Sequence, residues 1–561
     1  MHMELTGAQI IIECLKEQGV TTVFGYPGGQ VLPLYDALYA NRDSVRHILT
    51  AHEQGAAHAA DGYARSTGSV GVCIATSGPG ATNLVTGLAT AYMDSVPVVA
   101  LTGNVPLPLL GRDSFQEVDI TGITMPITKH NYIVKDIADL AKTIREAFYI
   151  AKEGRPGPVL IDIPKDIQVG TCEYMPEKPW PIEPKVARLR ESSLRQAVEL
   201  LRNASSPMFY VGGGVIRSQA SQELRDFLEL VDAPVTVSLM GIGAVSSSSE
   251  RFTGMVGMHG TKVSNMSISA CDLLVVVGAR FSDRVISKSS AFARNAKILH
   301  IDVDPAEIDK NITTYCHVIG DVKIVLQHMS KMIGEPMRHP AWMDQIKQWK
   351  LRYPIRVTEE SRRPREIIRA LRKVLPAGSF VTTEVGQHQM WAAQYYKHEV
   401  PGHFLTSGGL GTMGYGTGAS IGTQCGNPTA RVVNIAGDGS FRMNCNELAT
   451  LARYRLPVVI VLMNNHCLGM VRQWQTLFFD KHYSETTLDT PLDWIKLADA
   501  YGVRGMRLSA EDDPEAVLKA ALDLHAPVVV ECEIPIDDKV YPMVAPGASI
   551  EDMLGVVEAD V

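Results

Sequence analysis

The 561-residue chain has no apolar run near the roughly 20 residues that a membrane-spanning helix needs, which excludes that class. It has no Cys-x-x-Cys pair. Its nine cysteines are scattered and odd in number, so they read as reduced, mostly buried thiols. It also lacks a dense basic cluster: 53 Lys and Arg against 61 Asp and Glu give a formal net charge of −8, which argues against a nucleic-acid partner. The start, Met1-His2-Met3-Glu4-Leu5-Thr6-Gly7, has neither a basic n-region nor an apolar h-region, so a cytoplasmic location is expected. With 45% hydrophobic and 20% charged residues, the remaining class is a globular enzyme of three or four domains at ~150 residues each.

One motif stands out. Residues 440–463 separate Gly437-Asp438-Gly439 from Asn464-Asn465. Within that interval a helix-like stretch, Asn446 to Arg453, precedes the short apolar run Leu456 to Met463, which reads as a buried strand. Asp438 and the Asn pair then end neighbouring parallel strands, where open α/β sheets bind ligands. A carboxylate, an amide oxygen and a backbone carbonyl suit Mg2+, which keeps its other positions for phosphate oxygens and water. By itself Gly-Asp-Gly is more often a tight turn.

The chain also repeats itself. Leu88-Ala89-Thr90 and Leu448-Ala449-Thr450 share an offset that, at 448 minus 88, is 360 positions. Pro97-Val98-Val99 with Pro457-Val458-Val459, and Asn104 with Asn464, keep it without a gap. On that alignment Ser77-Gly78-Pro79-Gly80 overlies Gly437-Asp438-Gly439-Ser440, so only the later copy carries the Asp. A duplicated strand–loop–helix–strand unit predicts two related α/β domains around a third. Alternating helix and strand patterns run to Asp162-Ile163-Pro164-Lys165, and Thr6 to Gln9 fits a capping box. The Pro-rich Met175 to Pro181 marks a boundary. Beyond it, strands ending at Gly212-Gly213-Gly214, Gly278 and Asp302 to Asp304 suggest a doubly wound nucleotide-binding domain. The polar stretch Glu359-Glu360-Ser361-Arg362-Arg363-Pro364-Arg365 reads as a solvated linker.

These features resemble the thiamine-diphosphate enzymes, over nearly the whole chain from Ala8 to about Leu554. The resemblance implies three doubly wound parallel-sheet α/β domains. They are a pyrimidine-binding domain at 1–175, a central FAD-binding domain at 188–345 and a diphosphate-binding domain at 365–550. It makes Glu53 the acid that relays a proton to the cofactor's aminopyrimidine, where a helix-start surface Glu is the structural alternative. It assigns Asp438, Asn465 and the carbonyl of Cys467 to Mg2+. Gly386, Gln387, His388, Gly439 and Ser440 would hold the diphosphate, Gly411-Thr412-Met413 would approach the pyrimidine, and Gly28, Gly437, Gly469 and Met470 would also contact the cofactor. Met413 would be the wedge that bends the cofactor, although Met also fills core gaps well.

Several segments narrow the likeness to acetohydroxyacid synthase of the biosynthetic type. They are Phe24 to Gly29, Phe115 to Asp119, Gly257 to Thr261, Tyr541 to Gly547 and, most specifically, Leu468-Gly469-Met470-Val471-Arg472-Gln473-Trp474-Gln475. The likeness implies that pyruvate loses carbon dioxide and the resulting enamine joins pyruvate or 2-oxobutanoate. Pyruvate oxidase or another carboligase on the same fold is the alternative. Arg284 would bind the second keto acid's carboxylate, unless it pairs with Asp283 instead, and Trp474 would select acceptor size. Phe115, Gln116, Met258 and Lys165 would line the same pocket. FAD would contact Arg155, Gly212 to Gly214, Met258, His259, Gly260, Thr261, Gly278 to Arg280, Asp302 to Asp304, and Asp321. Departures from the family pattern are Asn104 for Gln, Ser282 for Asp, and Cys445. A homodimer or tetramer with active sites between subunits, and a small regulatory subunit, are the implied partners.

Overall fold

The computed structural model describes residues 3–182, 189–355, 361–490 and 492–559. The boundary at 188 and the pair Glu359-Glu360 lie outside the described residues. Three six-stranded parallel sheets succeed one another along the chain. Their central strands, such as Leu273–Val277 and Val458–Asn464, are fully buried and rich in Val, Ile and Leu, as expected where helices cover both faces.

The repeat is visible strand by strand. The first sheet runs Arg46–Leu49, Thr22–Gly25, Gly71–Ala75, Val98–Asn104, Val159–Pro164, His130–Ile133. The third runs Phe404–Leu405, Phe380–Thr383, Val432–Gly437, Val458–Asn464, Val528–Glu533, Arg504–Leu508, the same order of strands. Val98–Asn104 and Val458–Asn464 are offset by 360 at both ends. The middle sheet differs, with order Phe252–Met255, Val235–Val237, Pro207–Val211, Leu273–Val277, Lys297–Asp302, Cys316–Ile319. There the chain reverses direction across the sheet between Pro207–Val211 and Leu273–Val277, which opens a crevice at their carboxyl ends.

The first and third domains share one apolar core. Helix Glu53–Thr67 lies along helix Tyr415–Gly426, and Ala56, Ala57, Ala59 and Ala60 pack in a cluster with Ile421, Leu448 and Leu451. The tail crosses back to the middle domain: Val544 N–H donates to the Met258 carbonyl at 2.8 Å, and Asn265 Nδ2 to that of Ile550 at 2.8 Å.

The Arg-rich stretch is not a linker. Arg362, Arg363 and Arg365 lie in helix Arg362–Val374, because Ile367, Ile368, Ala370 and Leu371 recur at helical spacing and are buried. Pro364 sits in its first turn, where no N–H partner is lost. The capping box at Thr6 and Gln9 forms. Among the described residues no helix is long and apolar enough to cross a membrane.

Candidate active site

The candidate residues of the first domain sit at the carboxyl edge of its sheet, except Arg155, which precedes strand Val159–Pro164. Glu53 follows strand Arg46–Leu49 and opens helix Glu53–Thr67, whose N-cap is His52. Its side chain is buried, and Asn83 Nδ2 donates to Oε2 at 2.9 Å. Among the described residues Oε1 has no donor, and it faces Gly80 of the Gly78-Pro79-Gly80 loop. Gly28 lies against Thr76 at the start of that loop. Gln116, at φ +58°, passes close to Gly78, and Phe115 beside it is 86% exposed. Lys165 begins the short helix after strand Val159–Pro164.

The third domain repeats this arrangement with different chemistry. Asp438 follows strand Val432–Gly437, and Asn465 follows Val458–Asn464. Gln387 Nε2 donates to the Asp538 carbonyl at 2.7 Å and to Gln473 Oε1 at 3.0 Å, which fixes its own oxygen. Asn465 Nδ2 donates to that oxygen at 3.2 Å. The Asn465 amide oxygen therefore faces Asp438 Oδ1 at 3.3 Å and the Cys467 carbonyl at 3.1 Å. Turning the amide over would pair its nitrogen with those two atoms but set its oxygen against the Gln387 oxygen. Three oxygens with no proton between them are what a cation resolves. Their spacing is close to the ~3 Å edge of an octahedron with bonds of about 2.1 Å, the Mg2+ geometry.

Burial raises the Asp438 carboxyl to about 6, a cost that a divalent ion would offset. The Cys467 thiol, pushed up to about 12 by burial, stays protonated, so the residue offers its carbonyl. Among the described residues no group of three His, Cys, Asp or Glu side chains could hold a metal, so a site here depends on the Asp438 carboxylate together with two neutral oxygens.

Two helices, Gln387–Tyr395 and Gly469–Phe478, begin beside this triad. A Cβ on Gly469 would collide with Gln387 Oε1, so glycine there lets their first turns meet without displacing the Gln387 side chain. Their free N–H groups favour an anion such as a diphosphate. Ser440 Oγ accepts from Gly414 N–H at 3.0 Å and donates to Glu384 at 3.1 Å. Desolvation keeps the buried His388, beside Gly437, neutral, its pKa lowered to about 3. Half-buried Met413 lies in a loop held by the first domain, where Thr90 and Thr412 share a 2.6 Å hydrogen bond. Asp94 there accepts from Gly408 and Gly409 N–H at 3.1 and 2.7 Å.

A cavity of about 1420 Å³ joins the middle domain to the third. Gly212 to Gly214 and Gly278 to Arg280 line it at the crevice between Pro207–Val211 and Leu273–Val277, with Arg155, Asp302 and Asp321 around them. The floor of such a crevice is where a dinucleotide fits. Met258, His259, Arg284, Gly386, Gly411, Met470 and Trp474 line its other end. The Arg284 guanidinium lies 5.9 Å from the Trp474 ring and 3.9 Å from the Met258 sulfur. Its approach to Asp283, at 4.0 Å and exposed, is a weak pair that leaves the charge available.

Some candidates lie behind this lining. Thr261 caps helix Lys262–Ala270, Gly260 packs on Met255 and Val256, and Asp304 pairs with Arg155 at 3.3 Å. Glu53, Gly28, Phe115, Gln116 and Lys165 do not line the cavity either. Asn104 turns inward, donating to Asp162 at 2.5 Å. Sequence reading missed Asn83, Asp94 and Arg217, which lines the cavity and donates through Nε to the Ser95 carbonyl at 2.8 Å. Asn83 closes Gly78-Pro79-Gly80-Ala81-Thr82-Asn83, so its place after the glycine loop was an available signal. Asp94 and Arg217 carried none, since their roles depend on contacts with distant segments.

Comparison with known proteins agrees with this geometry. Residues 5–123, 194–329 and 384–532 match the N-terminal TPP binding, central and C-terminal TPP binding domains of thiamine pyrophosphate enzymes. Isozyme 2 large subunit of acetolactate synthase from Escherichia coli (strain K12) is 46% identical, over 98% of this chain and 99% of that protein. The acetolactate synthase large subunit of Pyropia yezoensis is 44% identical, over 99% and 96%. A probable acetolactate synthase large subunit from Methanocaldococcus jannaschii is 45% identical, over 98% and 95%. With three domain profiles in order and such identity along the whole length, the chain belongs to the thiamine pyrophosphate enzymes, in the family of acetolactate synthase large subunits.

Proposed function

We propose that this chain decarboxylates pyruvate and joins the two-carbon unit to pyruvate or 2-oxobutanoate, giving 2-acetolactate or 2-aceto-2-hydroxybutanoate, as the opening step of branched-chain amino-acid synthesis. The observation that carries this reading is Arg284 held over Trp474 and against Met258, in one cavity with Gly386, Gly411 and Met470. Thiamine diphosphate, when bound, supplies the electron sink for decarboxylation.

The chain's own residues do the rest. Glu53 holds and returns a proton at Oε1, the oxygen Asn83 leaves open. Asp438, Asn465 and the Cys467 carbonyl hold Mg2+, and the helix starts at Gln387 and Gly469 hold phosphate oxygens. Arg284 binds the acceptor's carboxylate through its planar fork, and Trp474 favours an ethyl over a methyl acceptor by roughly 1–3 kcal/mol. Gly212 to Gly214, Gly278 and Arg155 fit FAD, which the proposed reaction does not reduce or oxidise overall.

Glu53 does not line the cavity that holds Gly386 and Gly411, and Phe115 is almost fully exposed, which supports a homodimer completing each site from two chains. A small regulatory subunit and a cytoplasmic location complete the proposal. Purified protein given pyruvate, thiamine diphosphate and Mg2+ should form acetolactate, measured as acetoin after acid treatment. Acetaldehyde as main product, or acetate with oxygen uptake, would sink the carboligase reading.

A further inference from the structure

Glu447 belongs to the third domain, in the short turn Cys445–Glu447 after Gly437-Asp438-Gly439, yet its carboxylate is fully buried against the first domain. Oε1 accepts from the backbone N–H groups of His52 at 3.0 Å and Ala51 at 3.1 Å. Oε2 accepts from Ala51 N–H at 3.1 Å and from the Thr450 hydroxyl at 2.7 Å. One turn further along, the Tyr454 hydroxyl accepts from Leu49 N–H at 2.8 Å. The segment 447–454 thus holds three backbone donors of the turn that joins strand Arg46–Leu49 to Glu53. Room for the carboxylate is reserved on the other side, because a Cβ on Gly55 would collide with Glu447 Oε1. Burial, and to a lesser degree the field of Glu53, raises this carboxyl to about 7.

A buried carboxylate that only braced two domains could end on any donor. This one ends on the two amides that precede Glu53, and His52 is also the N-cap that fixes how the helix starts. A shift of the turn would swing the Glu53 carboxylate, and about 1 Å of misplacement can cost 10²-fold in rate. We propose that Glu447 is a positioning residue for Glu53, a carboxylate from the metal-binding domain that clamps the Ala51-His52 turn and so aims the proton-relaying acid. The proposal rests on the reading of Glu53 as that acid.

The test compares Glu447→Gln, which keeps an oxygen for the two amides, with Glu447→Ala and with Glu447→Asp, whose carboxylate is one methylene short. With thiamine diphosphate and Mg2+ bound, proton–deuterium exchange at the cofactor's C2 should slow by about tenfold to 10²-fold in the Ala and Asp variants. It should return to within about threefold of wild type in the Gln variant, a spread well under that loss. In cofactor-free protein, amide hydrogen exchange over Ala51 and His52 should quicken in Ala and Asp but not in Gln. Wild-type C2 exchange in a folded Ala or Asp variant, or unchanged amide protection, would overturn the proposal, as would a Gln variant as slow as Ala. If Ala does not fold, the Asp and Gln pair decides. A Glu53→Gln protein that exchanges C2 at the wild-type rate would instead refute the role of Glu53 itself.

Discussion

Gly62 and Gly422, 360 positions apart, face each other's helix in the same way: a Cβ on Gly62 would collide with the Ala419 carbonyl, and one on Gly422 with that of Ala59. Ala59 and Ala419 are also 360 apart. The contact is therefore reciprocal, residue i on j and j on i, as across a two-fold axis between identical subunits, although here one chain supplies both halves. The duplication seen in sequence is preserved as a pseudo-two-fold pairing of the two cofactor-binding domains.

That pairing leaves no room for a methyl group. Gly422→Ala should destabilise the protein by about 1–3 kcal/mol, measured as a lower urea midpoint, since backbone carbonyls cannot move aside as side chains do. Wild-type stability in that variant would refute the close approach.

Glu53→Gln should lower kcat by roughly 10²–10⁴, with slowed C2 proton exchange and nearly unchanged cofactor affinity. Unchanged exchange would refute its assigned role.

Asp438→Ala should abolish the Mg2+ dependence of thiamine diphosphate binding in calorimetric titration. Affinity should fall by more than the roughly 10–100-fold that disturbing an outer metal partner brings. Binding that remains tight and Mg2+-dependent would place the ion elsewhere.

Trp474→Leu should erode discrimination between 2-oxobutanoate and pyruvate by up to 10–200-fold in a competition assay, the worth of one methylene in an apolar pocket. Arg284→Lys should raise the KM for the second keto acid because a point charge replaces a bidentate fork. An unaltered product ratio in the first variant would move the specificity pocket away from Trp474.

Burial lifts Asp162 to about 7, although Thr102 and Asn104 donate to it at 2.7 and 2.5 Å. Its unfolded value is about 3.9. The folded state therefore binds more protons between these values, and this group's contribution to stability is full below about 4 and declines as pH rises to about 7. Asp162→Asn should flatten stability against pH over that window, relative to wild type, in denaturant titrations at pH 5 to 7.5. Parallel curves for the two proteins would show that Asp162 titrates normally.

The sequence by itself determined much of this protein. Alternating apolar runs set the three parallel sheets, and the constant offset of 360 marks the paired domains. Gly437-Asp438-Gly439 and Asn464-Asn465 marked a strand-end site because strand ends and glycine turns are local properties. The Arg-rich stretch at 362–365 reads as a linker in sequence because its charges are conspicuous, while the buried face of Ile367, Ile368 and Leu371 that makes it a helix begins only after them.

Other facts were decided only by the tertiary structure. The direction of the Asn465 amide depends on Gln387 and, behind it, on the Asp538 carbonyl, 73 positions further on than Asn465. The clamp of Glu447 on Ala51 and His52 joins residues nearly 400 positions apart. A hydrogen bond is fixed by distance and angle in space, and chain spacing carries no record of either unless the partners share one element. So residue types and periods gave the domains and their chemistry, and packing between domains chose which atoms meet.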